Sequence, residues 1–193
     1  MLDLPDAENA FSPPPGSTPS EMFPVLNSAQ QARVLAHAQR RTVEQREIVA
    51  ELNEHVAKVF VVVSGQLHIL RVSNNQEQVV AFCNPGMFTG ELSVLSGRRG
   101  LVRIRAAEKT ELIEIERAAL QALVETDSEL SDIFLRAFIL RRLELIAREV
   151  GDMVLIGSSH LLDTLRIKEF LTRNYQPYSY IDLERDAEVQ EML

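Results

Sequence analysis

Cysteine is nearly missing: Cys83 is the single one in 193 residues, so no internal disulfide can form and a reducing, cytoplasmic setting is expected. Long apolar runs are missing too. No stretch approaches the roughly 18 residues that cross a bilayer, and the N-terminus lacks a basic-then-apolar signal pattern, so no membrane is expected as a partner. Positive charge is in deficit. Lys and Arg number 20 against 28 Asp and Glu, a formal charge of -8 with a pI near 5.1, which repels nucleic acid. The histidines His37, His55, His68 and His160 are scattered, and with one cysteine they make no metal-ligand spacing. A G-x-G-x-x-G after a strand, a P-loop and a G-x-S-x-G nucleophile elbow are all absent. Neither a dinucleotide site, a metal nor catalysis is therefore expected of this chain.

What is present is an ordinary globular composition, 46% hydrophobic and 25% charged, in a length that holds one good core and part of a second unit. Residues 1–24 are proline-rich, with Pro13-Pro14-Pro15-Gly16 and almost no apolar periodicity, and are expected to be a disordered or extended leader. Ser28-Ala29-Gln30-Gln31 fits a capping box, which predicts a helix from Ser28 to about residue 40.

Short β-rich runs follow at 47–52, 58–64, 66–72, 77–83, 101–106 and 111–116, with Ser64-Gly65 and Ser73-Asn74-Asn75 as turn-formers between them. Val59-Phe60-Val61-Val62-Val63 is wholly apolar and reads as a strand covered on both faces. This density of short strands predicts a small barrel or sandwich. Helical patterning returns at 117–125, with Asp127 placed to cap a long helix over 128–150. One stripe of that helix (Leu130, Phe134, Ala137, Leu140, Leu143) can cover the barrel. A second (Ile133, Phe138, Leu145, Ile146) needs either the same core or a homodimer partner. Gly151 ends the helix. An apolar run at 153–156, a helix over 161–173 capped by Ser158-Ser159, and a strand at 178–183 then make a βαβ unit with parallel strands.

The stretch that carries chemistry is Phe88-Thr89-Gly90-Glu91-Leu92-Ser93-Val94-Leu95-Ser96-Gly97-Arg98-Arg99-Gly100-Leu101-Val102. Gly90 lets backbone approach a ligand, and a helical turn after it presents free N–H groups to an anion. Glu91 is repelled by phosphate, so its partner is a sugar hydroxyl. Arg98 or Arg99 brings a permanently charged fork to phosphate oxygens. Strand parity favours Arg98: Gly100, Val102, Ile104 and Ala106 form the inward face, whereas Arg103 and Arg105 point to solvent. A tight turn that breaks the alternation would choose Arg99. Together these are the parts of a nucleotide monophosphate site.

Gly90-Glu91-Leu92-Ser93, followed by an arginine, a small residue and Val102, resembles the phosphate-binding cassette of cyclic-nucleotide-binding domains, as in catabolite-activator-type regulators. Val63-Ser64-Gly65-Gln66-Leu67 also matches that family's turn. The resemblance spans about residues 23–150. It implies an α+β fold with a jelly-roll β-barrel, flanking helices and a long C-terminal helix. It also implies cyclic AMP or cyclic GMP as ligand, Gly90, Glu91, Leu92, Ser93, Arg98, Arg99, Gly100 and Leu101 as its contacts, and Arg141 or Arg142 of the long helix as a contact to the base. Departures from the family pattern (a shorter loop from Glu91 to Arg98, and no glycine between 52 and 55) leave a second reading open. In it the barrel is ligand-free and serves as a dimerisation or docking module.

Residues 151–193 resemble the first half of a thioredoxin- or glutaredoxin-like domain, but Leu161-Leu162-Asp163-Thr164 stands where such folds carry Cys-x-x-Cys, so no disulfide exchange is expected. The expected division is thus 1–24 leader, 25–150 nucleotide-binding domain and 151–193 partial thioredoxin-like unit. The order resembles bacterial fusions of a cyclic-nucleotide-binding domain to a thioredoxin-reductase-like module. That implies a downstream partner module holding FAD and NADPH, with no cofactor in this chain.

Overall fold

The computed structural model describes residues 13–52, 54, 58–73, 76–90, 94, 100, 102–147 and 153–184. Its elements run α1 (Pro19–Met22), α2 (Ser28–Leu35), β1 (Gln39–Val43), β2 (Ile48–Ala50), β3 (Lys58–Ser64), β4 (Leu67–Ser73), β5 (Gln76–Cys83), β6 (Phe88–Thr89), β7 (Arg103–Ala106), β8 (Thr110–Glu116), α3 (Arg117–Thr126), α4 (Ser128–Ala147), β9 (Met153–Gly157), α5 (Leu162–Arg173) and β10 (Tyr178–Asp182). Two compact units divide the chain, Met1–Leu140 and Arg141–Leu193. The division falls inside α4 rather than at Gly151.

In the first unit β1 to β8 form two four-stranded antiparallel sheets, in the orders β1-β8-β3-β6 and β2-β7-β4-β5. Strand β3 explains their arrangement. Its side chains alternate between faces, and both faces are covered. Phe60 and Val62 join Leu67, Ile104 and Leu112 between the sheets. Val59 and Val61 join Leu120, Leu130 and Phe134 under the helices. The unbroken apolar run is therefore a strand between two cores, as expected. Gly65, at φ +83, turns the chain into β4 where an added Cβ would lie 2.5 Å from Thr110 Oγ1.

Three expectations need correction. Helix α2 ends at Leu35 instead of about 40, because Gln39–Val43 pairs with β8, from Gln39↔Glu114 to Val43↔Thr110. Its cap is Asn27, not Ser28: Asn27 Oδ1 accepts from Gln30 N at 2.9 Å, and Gln30 Oε1 accepts from Asn27 N at 2.8 Å. The proline-rich leader is ordered where it is described. Pro19–Met22 is a helical turn with its own Thr18–Glu21 capping box, and Met22 is fully buried. Residues 1–12 lie outside the described residues. The two-residue strand β6 was too short to show any periodicity.

Helix α4 buries more of its surface than a single stripe. Leu130, Phe134, Ala137 and Phe138 all reach the helix-side cluster, and Ile133 packs against it. Leu145 and Ile146 are buried as well. The second stripe thus finds cover within this chain. Asp127 Oδ1 accepts from Leu130 N at 3.1 Å, the cap expected at that position.

In the second unit β9 and β10 pair in parallel, from Met153↔Tyr178 to Gly157↔Asp182, with α5 as the crossover. The expected Ser158-Ser159 cap does not form. Leu161 occupies the N-cap without a side-chain bond, and Ser158 Oγ instead takes the amide of His160 at 3.2 Å and donates to Glu184. Among the described residues no helix is long and apolar enough to cross a membrane, and no cluster of His, Cys, Asp and Glu could hold a metal.

Candidate functional site

The candidate cassette segment is bounded in the chain by two glycines whose surroundings are described. Gly90 sits at φ +100, a conformation that side chains rarely adopt. An added Cβ would lie 2.5 Å from the Lys58 carbonyl oxygen and 3.3 Å from the Phe60 ring. Only glycine lets the chain leave β6 this close to β3. At the far end the Gly100 amide donates to the Glu54 carbonyl at 2.8 Å, and Gly100 is buried. Gly90 therefore lies close against the start of β3, and Gly100 is bonded to the backbone of Glu54. Val94 lies between them, 2% exposed, and reaches the cluster of Phe88, Phe134 and Phe138. The Phe88 and Phe134 rings stand 4.5 Å apart between centroids. Glu91, Leu92, Ser93, Arg98, Arg99 and Leu101 lie outside the described residues.

Next to Gly90 the inner face carries charge. Glu114 shares the face of Leu112 on β8, and Lys58 the face of Phe60 on β3. Glu114 is 9% exposed and accepts from Lys58 Nζ at 2.9 Å and from Arg41 Nη1 at 2.8 Å. Arg41 also reaches Glu47 Oε1 at 2.6 Å. Burial pushes the Glu114 carboxyl up, but the bonds from Lys58 and Arg41 outweigh it and hold it below the ordinary carboxylate value. The β8 sequence Thr-Glu-Leu-Ile-Glu-Ile-Glu held the signal for this site: once Leu112 is read as inward, Glu114 must be inward too and needs a cation.

Strand parity in β7 holds as expected. Ile104 and Ala106 are buried, at 3% and 1% exposed, and belong to the inter-sheet cluster. Arg103 and Arg105 lie on the outer face, but they are engaged there. Arg103 bonds Glu51 at 2.8 Å and also Glu77, which Arg105 reaches at 2.6 Å. His68 completes that face, with its pKa lowered by burial and by the nearby Arg105 charge.

Residues 40–127 match the family model described as the cyclic nucleotide-binding domain. This segment is a cyclic nucleotide-binding domain. The chain is 25% identical over 121 residues to a cyclic nucleotide-gated potassium channel of Mesorhizobium japonicum, a match covering 63% of this chain and 32% of the channel. It thus spans about a third of that channel's length. Among solved structures, the catabolite activator protein of Thermus thermophilus superposes with a TM-score of 0.56 at 26% identity, covering 67% of this chain and 61% of that one. The N-terminal domain of a Streptomyces coelicolor transcriptional regulator gives 0.50 at 25% identity, covering 64% and 86%.

One concavity, of about 100 Å³, lies between Val94, Leu120, Val124 and the α4 residues Leu135 and Phe138. It is far smaller than the roughly 300 Å³ at which ligand sites begin. Val94, Leu120, Val124 and Phe138 belong to the helix-side cluster and not to the inner face. Arg142, expected at the base, is engaged in the second unit, where its Nε donates to the Tyr175 carbonyl and its Nη2 to Gln176 Oε1 at 3.5 Å.

Proposed function

We propose that the cyclic nucleotide-binding domain is an allosteric sensor for cyclic AMP or cyclic GMP. The ligand lies on the inner face beside Gly90 and Gly100, Glu91 takes the ribose hydroxyl, and Arg98, with Arg99 as the alternative, takes the cyclic phosphate. Binding favours one position of α4, and that bias passes to a downstream flavin-dependent disulfide-reductase-like module in the cytoplasm. FAD, NADPH and catalysis belong to that module; this chain supplies regulation only. A homodimer through α4, at its exposed Leu135 and Ile139 and not at the covered second stripe, is part of the same reading, and nucleic acid is not.

The observation that carries the reading is Gly90: a positive φ and an approach to the Lys58 carbonyl that no other residue permits, at the first position of the cassette motif. Calorimetric titration of the 193-residue chain with each nucleotide tests it. Micromolar binding, lost in Arg98→Leu, is the expected result. Loss in Arg99→Leu alone would move the phosphate to the second arginine. No heat and no thermal stabilisation with either nucleotide would leave the ligand-free docking module as the better account.

A further inference from the structure

We propose that Arg142 is the fastening between the long helix and the βαβ unit, and not a contact to the nucleotide base. The proposal rests on the sensor reading for what the fastening transmits, but the contact itself is defined without a ligand.

Helix α5 ends in a Schellman turn. The Tyr175 amide donates to the Thr172 carbonyl at 3.0 Å, and the Gln176 amide reaches back to the Leu171 carbonyl at 2.8 Å. The residue after the cap of such a turn adopts a left-handed conformation and is usually glycine. Here it is Tyr175, at φ 51. A side chain costs about 1 kcal/mol or more in that region, so the turn persists because its surroundings hold it. Inside the turn Asn174 Nδ2 donates to the Phe170 carbonyl at 2.7 Å; from the long helix Arg142 holds it, its Nε donating to the carbonyl of Tyr175 itself while Nη2 approaches Gln176 Oε1. A guanidinium is always charged and offers parallel donors in a rigid plane, which suits adjacent acceptors on one turn. The turn leads through Pro177 straight into β10, where Tyr178 is 4% exposed and pairs with Met153 of β9. One side chain of the long helix is therefore bonded to the joint between the crossover helix and the second strand of the βαβ unit. Helix α4 is continuous from Ser128 through Arg142 to Ala147. A displacement of that helix is thereby delivered to the α5–β10 joint.

Hydrogen exchange of the full chain, read at the Gln176 and Tyr178 amides (Pro177 has none), tests this with Arg142→Gln and Arg142→Lys. Without nucleotide, Arg142→Gln is expected to speed exchange at those amides about tenfold while the barrel strands stay protected, and Arg142→Lys to restore part of the protection. With cyclic AMP or cyclic GMP added, the wild type is expected to change protection at Gln176 and Tyr178, and Arg142→Gln to lose that response with affinity retained within about twofold. Unchanged exchange in Arg142→Gln without nucleotide overturns the fastening. A tenfold or greater loss of affinity with the amide response intact returns Arg142 to the base and equally overturns it. Should neither nucleotide bind the wild type, the sensor reading fails alone, since the comparison without nucleotide still decides the contact.

Discussion

The barrel and the βαβ unit are built from similar apolar strands and treat them oppositely. In β3, Val59, Phe60, Val61 and Val62 are each at most 1% exposed. In β9, Val154 and Ile156 are 55% and 51% exposed, and on α5 Leu162 and Phe170 are 70% and 63% exposed. The difference lies in the cover each sheet receives. Strand β3 has a second sheet on one face and three helices on the other, so both residue parities gain from leaving water. The pair β9–β10 has one helix for one face, and parallel sheets usually have both faces covered. The same amino acids therefore hold the barrel together and contribute little in the βαβ unit. Burial, and not strand propensity, sets what an apolar strand is worth.

The sharpest way to break the comparison is Phe60→Ala. Its loss from the inter-sheet core is expected to cost about 3–5 kcal/mol in urea unfolding of the barrel; a cost under about 1 kcal/mol would show that this core repacks freely. Next comes Gly90→Ala, which combines a strained φ with a Cβ set against the Lys58 carbonyl. It is expected to cost about 1–3 kcal/mol and to weaken nucleotide binding in calorimetry at the same time. Unaltered affinity would separate Gly90 from the cassette.

Glu114→Gln is expected to cost about 1–2 kcal/mol, because Lys58 and Arg41 keep their charge and part of their exposure. Its signature is in acid. The folded carboxyl titrates below its unfolded value, so its stabilising effect is complete above the unfolded pKa and disappears as the pH falls through the folded one. Melting temperatures followed from about pH 6 to pH 3 should fall less steeply in Glu114→Gln than in the wild type. The smallest effect belongs to the exposed face: Phe170→Ser should stay within about 0.5 kcal/mol. A larger loss would reveal cover over α5 and undo the contrast.

The limits of legibility follow from range. The unbroken apolar run located β3 at its observed ends, since four consecutive residues buried on both faces leave a strong local trace. The apolar pattern missed β1, because Gln39-Arg40-Arg41 carries no apolar alternation and becomes a strand only through pairing with β8 some seventy residues away. The demand for glycine at position 90 could be read because a positive φ is a local requirement. The Arg41–Glu114–Lys58 group could not, because its members lie on three strands and only the register brings them together. Arg142 shows the same limit from the other side: its helix position was evident from spacing, its bond to Tyr175 was not.

By itself the amino-acid sequence determined most of the strands and helices, the two-faced character of β3 and the turn at Gly65. Each of these depends on near neighbours, on residue volume and on backbone freedom. Tertiary structure decided which apolar surfaces leave water, that Glu114 stays ionised among two cations inside a sheet, and that a guanidinium on the long helix ends up on the carbonyl of a strained tyrosine. Those outcomes depend on distances between residues far apart in the chain, and such distances exist only once the register of the strands and the ends of the helices are set.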